Sequence, residues 1–239
     1  MLVDQIVLKI KIFGQSLTRF STGSAEADEL VYSDNFAFLI ACCLDRGMPS
    51  EIIWRIPFFL KRECGHLDPE RFSKMSIEEM SQVISRLSAK PRYTNDTPYT
   101  IIQLSIIITN EFGGKAENVW KGHSAREIYS TLRRIRGVGE GIANMTINLL
   151  HRYFDIELTV DDLRNIDVKP DVHVERVFLR TGLSSSAGKS VFAARLHSPD
   201  YPAVLDLGAW TIGKEWCHAN LPNHKSCPLA DICPQISIE

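Results

Sequence analysis

Arg134-Ile-Arg-Gly-Val-Gly-Glu-Gly-Ile-Ala-Asn-Met145 is the stretch that decides how this chain reads. Gly137, Gly139 and Gly141 fall within five residues, with arginines before them and helically spaced apolar residues after them. Upstream, Ser124 and Glu127 have the spacing of a capping box, so a helix starts at Ala125 and places Ile128, Leu132 and Ile135 on one side. Downstream, a second helix starts near Glu140 and buries Ile142, Met145 and Leu149. Two glycines around Val138 permit backbone conformations barred to other residues, and Val138 can anchor the bend in a core. The first N–H groups of the second helix lack helical partners and carry the positive end of its dipole. A phosphate can approach them closely where Gly137 and Gly139 bear no side chain. For any one of these glycines alone, the plainer reading is an ordinary turn between two helices.

Charge sharpens this locally. The formal net charge of the 239 residues is −2, which does not point to a nucleic-acid partner. From Lys121 to Arg152, however, Lys121, Arg126, Arg133, Arg134, Arg136 and Arg152 face only Glu127 and Glu140. Taken by charge alone, such a run equally describes a solvated face.

Outward from the bend the pattern stays helical. Residues 35–44, 50–64, 76–87, 98–111, 125–135, 140–153, 172–181, 189–197 and 202–216 show helical spacing or boundary signals. The one strand-like segment is Val7–Ile12, and 21–34, 88–97 and 182–188 read as polar connectors. The expected fold class is all-α. Hydrophobic content of 44% and charged content of 23% fit a soluble globular protein, large enough for one domain or two small ones. No apolar run is long enough to span a membrane. The first residues, MLVDQIVLKIKIFG, lack the layout of a signal peptide, so a cytoplasmic protein without membrane attachment is expected. Cys42 and Cys43 sit in an apolar run and read as buried core thiols, apart from the late group Cys217, Cys227 and Cys233.

The bend, with a basic helix before it, resembles the helix-hairpin-helix motif of the endonuclease III superfamily of DNA glycosylases. The resemblance continues in order. Lys169-Pro-Asp-Val-His-Val-Glu-Arg-Val177 looks like that family's catalytic aspartate segment, and Gly213-Lys-Glu-Trp-Cys217 opens a segment similar to its iron–sulfur loop. Phe36–Leu44 resembles its early barrel helix, and the similarity spans roughly residues 30–235. It implies two helical lobes with a DNA-binding cleft between them. One would be a barrel over 33–150 that ends in the hairpin; the other would combine 1–32 with 151–239.

The resemblance also assigns site residues. Arg136, Gly137, Val138, Gly139 and Gly141 would bind DNA. Asp171, which by itself reads as a helix N-cap, would stabilise positive charge on the sugar and orient water. In bifunctional relatives a lysine follows the hairpin's Gly-Val-Gly-X; here the position is Gly141, which has no amine to form a Schiff base. A monofunctional glycosylase is therefore expected, a nucleoid-associated monomer acting on double-stranded DNA that contains a damaged or mismatched base. A lesion-binding protein without catalysis, or a bifunctional lyase using another amine, are the alternatives.

The family's cluster spacing falls on Cys217, His224, Cys227 and Cys233, so the second cysteine position is a histidine. A 4Fe–4S cluster on these four is the leading expectation, and zinc the alternative. Residues 218–223, which follow Cys217, contain no Lys or Arg. Leu44–Ser50 stands where relatives carry a glutamine-containing stretch that enters the duplex, leaving Arg46 and Met48 as candidates for that role. Trp54, Tyr93, Tyr99 and Trp120 are candidates for stacking on a base.

Overall fold

A computed structural model describes residues 2–238, and among them there is no strand. The segment read as strand-like is instead part of α1 (Leu2–Ser16). Its buried residues Ile6, Val7, Ile10 and Gly14 follow helical spacing, while Leu8 and Ile12 are exposed. The alternation of Val7–Ile12 misleads because two lysines happen to separate apolar residues that lie on opposite sides of a helix. None of the helices is long and apolar enough to cross a membrane, among the described residues.

Nine further helices follow: α2 (Ala25–Ser33), α3 (Asn35–Leu44), α4 (Ser50–Ile53), α5 (Ile56–Cys64), α6 (Pro69–Ser73), α7 (Ile77–Arg86), α8 (Thr97–Glu111), α9 (Ala125–Leu132) and α10 (Glu140–Tyr153), among the described residues. With their connections they make one compact unit, Arg19–Ile156. Its centre is α3, buried on every side from Phe36 to Leu44. Asp34 caps this helix, its Oδ1 accepting from the amides of Phe36 and Ala37. Cys42 and Cys43 are fully buried, and burial pushes the Cys43 thiol up to about 12.

Residues 50–64 do not form one helix. Pro57 has no N–H, and its ring conflicts with a helical carbonyl at Ile53, so the chain breaks between α4 and α5. The polar segment 21–34 does contain a helix, α2, because Ala27, Leu30 and Val31 make a short apolar stripe. Its Tyr32 packs on Phe38, Trp54 and Tyr153. These contacts draw residues 19–32 into the unit of the hairpin rather than into the other lobe, and the division falls at Arg19 and Ile156 instead of 33 and 150.

The second unit joins Met1–Thr18 to Glu157–Glu239. After α1 it contains α11 (Val160–Arg164), α12 (Val172–Thr181), α13 (Ser190–His197) and α14 (Asp206–Glu215), the last preceded by a 3-10 turn at Pro202–Leu205. Ile6, Ile10, Val174, Phe178, Ala209 and Ile212 form the heart of its core. The short α11 was not legible in the sequence: none of its residues is buried, and the Thr159–Asp162 capping box defines it instead.

Candidate functional site

The bend begins where α9 ends. Ile135 and Val138 are buried, and the Val138 amide donates to the Ile135 carbonyl at 3.0 Å. Gly137 has φ +86°, a left-handed conformation that side chains disfavour. A Cβ there would also collide with the Arg46 guanidinium. Gly139 differs: its φ is −82°, open to any residue, and a Cβ would meet nothing within 4 Å. It is the N-cap of α10, and no side chain caps that helix. The amides of its first turn therefore point out of the helix without intrahelical acceptors. Gly141 lies in that first turn.

The arginines around the bend are engaged in holding it. Arg133 Nη1 donates to the Val138 carbonyl at 2.6 Å, and Arg134 pairs with Glu111. Arg136 pairs with Asp96 at 2.8 Å and lies 4.3 Å over the Tyr99 ring, while its amide donates to Gln103 Oε1. Arg46, a candidate to enter a duplex, donates to the Gly137 carbonyl at 3.0 Å and stacks on Tyr93. Trp54 and Trp120 are each 4% exposed, packed on Phe38 and Phe154, so neither is placed to stack on a ligand. Gln103 and Thr100 could not be singled out from sequence, because the bend they support lies 33 and 36 residues away; Arg46 was a candidate for the duplex, but the carbonyl it holds lies 91 residues on.

Asp171 lies in the other unit, as N-cap of α12. Its Oδ1 accepts from the amides of His173 at 2.8 Å and Val174 at 3.0 Å. Its Oδ2 takes no protein hydrogen bond among the described residues. The preceding strap is fixed as well: the Lys169 amide donates to the buried Asp206, and the Asp171 amide to the Lys169 carbonyl. One turn on, Arg176 donates to the carbonyls of Gly213 and Cys217 and contacts His173 Nδ1, which ties α12 to the end of α14. Burial pulls Arg176 below the usual guanidinium value. The structure thus gives Asp171 both a capping oxygen and a spare one.

Cys217, His224, Cys227 and Cys233 line one recess in the same unit as Asp171, with Arg180 and Trp216. Two sulfurs there accept hydrogen bonds, Cys217 from Arg180 Nη1 and Cys227 from the Leu229 amide, each at 3.4 Å. Cys233 donates to the Arg180 carbonyl at 3.7 Å. Arg180 further donates to the carbonyls of His218 and Ala219. Arg180 was not a sequence candidate; its only signal there is an arginine directly after Val177, Phe178 and Leu179 in one helix, and its burial means that it serves a partner. Burial pushes the Cys227 and Cys233 thiols up, and the neighbouring thiols add to this. Among the described residues no group of three His, Cys, Asp or Glu side chains is drawn together tightly enough to hold a single metal ion.

No family model matches the chain, and no curated protein matches it significantly. Solved structures do. A trapped endonuclease III–DNA covalent intermediate in an estranged-adenine complex aligns with a TM-score of 0.64 at 18% identity, over 98% of this chain and 96% of that one. A non-covalent endonuclease III–DNA complex aligns with a TM-score of 0.64 at 18% identity, over 98% of this chain and 95% of the other. A thermostable thymine-DNA glycosylase aligns with 0.63 at 16%, over 97% and 95%. With bend, capping aspartate and cysteine loop embedded in an all-helical chain, this protein has the fold of endonuclease III and of that glycosylase.

Proposed function

We propose that the chain is a DNA N-glycosylase of the endonuclease III-like helix-hairpin-helix superfamily, removing a damaged or mismatched base from double-stranded DNA by hydrolysis. The observation that carries this reading is Asp171: a carboxylate held rigidly by two amides through one oxygen, with the second oxygen unclaimed, in a chain with the endonuclease III fold. The target base leaves the stack, because its glycosidic bond is shielded in the duplex. The bond between C1′ and the base nitrogen then breaks, its electron pair departs with the base, and the base gains a proton. Positive charge develops at C1′, where a fixed carboxylate stabilises it. Water supplies the new C1′–O bond, and Asp171 orients it and takes its proton. Gly141 leaves no amine at the position where the resemblance puts a lysine, so an abasic site, not a Schiff base, is the product.

Duplex DNA is held through the hairpin. The first amides of α10 seat a backbone phosphate, Gly139 leaves the approach open, and Val138 anchors the turn. Arg136, about half exposed, adds positive charge beside the turn even as Asp96 holds it.

The recess suits a 4Fe–4S cluster held by Cys217, His224, Cys227 and Cys233. Three soft sulfurs and an imidazole share it, and two of the sulfurs already accept N–H hydrogen bonds, as cluster thiolates do. Cys217, His224, Cys227 and Cys233 would hold such a cluster, which would tie the end of α14 to the following loop, and an imidazole in place of a thiolate would raise its reduction potential.

A panel of duplexes, each with one damaged or mismatched base, tests the reading. Excision followed by strand cleavage only on alkali treatment, with no borohydride-trapped adduct, is expected. Cleavage without alkali, or a trapped adduct, would replace water by an amine. Tight binding of a lesion without excision would make this a binding protein.

A further inference from the structure

Three backbone groups at the bend are held by side chains from elsewhere in the same unit. The Arg136 amide donates to Gln103 Oε1 and the Arg136 carbonyl accepts from the Thr100 hydroxyl, both at 2.7 Å and both from α8. The third is the Gly137 carbonyl, which accepts from Arg46 Nη1 at 3.0 Å. Arg46 lies in the turn after α3, and its guanidinium carbon stands 4.9 Å from the centre of the Tyr93 ring. It occupies the space that a Cβ at position 137 would need. The left-handed backbone favours glycine at 137, and a side chain there would also have to displace the guanidinium from its place. Arg46 Nη2 is buried with no hydrogen-bond partner. Removing that N–H from water is unfavourable, so the carbonyl and the ring are what hold the side chain in place.

We propose that Arg46 is a positioning residue of the hairpin, fixing the Gly137 carbonyl so that the amides leading into α10 keep the direction in which they meet a DNA phosphate. The inference rests on reading the hairpin as the phosphate seat. Val138 and Gly139 follow directly into the helix N-terminus, so the orientation of the Gly137 peptide sets where those amides point. Arg133, at the end of α9, holds the next carbonyl, that of Val138. The turn after α3 thus supplies an arginine engaged with the hairpin itself. Arg46 acts on duplex affinity through backbone geometry and not by entering the DNA.

The test uses the full chain with Arg46→Ala, Arg46→Lys, Gly137→Ala and the double variant Arg46→Ala/Gly137→Ala. Amide exchange at 138–141 is read in the free protein, and affinity for undamaged duplex is read across salt. Arg46→Ala and Gly137→Ala should each speed hairpin exchange and weaken duplex binding about tenfold, the loss expected for a hydrogen bond from a charged donor. The double variant should lose little more than Gly137→Ala alone, because the side chain Gly137→Ala displaces is the one Arg46→Ala removes, and the left-handed strain is common to both. Arg46→Lys keeps the charge but not the planar stacking fork, and should fall between wild type and Arg46→Ala in both readouts. For Arg46→Ala acting on a duplex that still carries its target base, KM should rise while kcat at saturation is kept. Hairpin exchange that stays at the wild-type rate in both Arg46 variants would overturn the proposal. So would weaker binding with unchanged exchange and a salt slope reduced by about 0.9, the mark of a direct phosphate contact. Faster exchange with undiminished duplex affinity would leave Arg46 as a brace and instead refute the hairpin as phosphate seat.

Discussion

Gly213 and His173 meet backbone to backbone: a Cβ on Gly213 would come 2.6 Å from the His173 carbonyl oxygen. That approach seats α14 on the first turn of α12, the turn that Asp171 caps, and Arg176 secures it by donating to the Gly213 carbonyl. Gly213→Ala must push the two helices apart. A loss of about 1–3 kcal/mol of stability is expected, in the range of other overpacking changes. An unchanged urea midpoint would show that the crossing has slack.

Asp171 should separate into its two roles by substitution. Asp171→Asn keeps an oxygen for the His173 and Val174 amides, so the melting temperature should stay near that of wild type. Asp171→Ala loses the cap and should cost about 1 kcal/mol. Both should slow base excision by roughly 10²–10⁴-fold, the usual contribution of a positioned acid–base group. Full excision by the asparagine variant would reduce Asp171 to a helix cap.

Gly139 and Gly137 should respond differently to alanine. Position 139 has an ordinary φ and open space, so Gly139→Ala should fold, losing only about 1 kcal/mol, the cost of alanine at an N-cap. It should nevertheless weaken binding to every duplex, damaged or not, because its methyl group stands where a phosphate would approach. Gly137→Ala should lose stability as well as binding. An effect of Gly139→Ala confined to one kind of base would mean that the hairpin reads bases rather than holding the backbone.

The cysteine loop should yield brown protein with iron and acid-labile sulfide when purified without oxygen. Cys227→Ala should lose both, whereas His224→Cys should retain them. Colourless protein with one zinc ion per chain would refute the cluster and leave the same four residues as ligands.

Local signals carried much of this in the sequence itself. The capping box at Ser124 and Glu127, the apolar spacing of α9 and α10, and the glycines between them are properties of neighbouring residues, and they formed as read. Asp171 likewise read as a cap from Pro170 and the helix after it. Where neighbours were ambiguous, the tertiary structure decided. Val7–Ile12 alternates like a strand, but α1 is fixed by burying Ile6, Ile10 and Gly14, the last against Gly208 of α14. Residues 19–32 joined the hairpin unit because Tyr32 found an aromatic cluster drawn from α3, Trp54 and Tyr153. The arginines of the bend read as free charge, and folding gave them Asp96, Glu111 and the Val138 carbonyl. Helix periodicity and caps depend on residues within about four positions of each other, so sequence can state them. Which carbonyl Arg46 finds at Gly137, or which sulfur Arg180 finds at Cys217, depends on packing between elements far apart in the chain, and only the folded core brings them within reach.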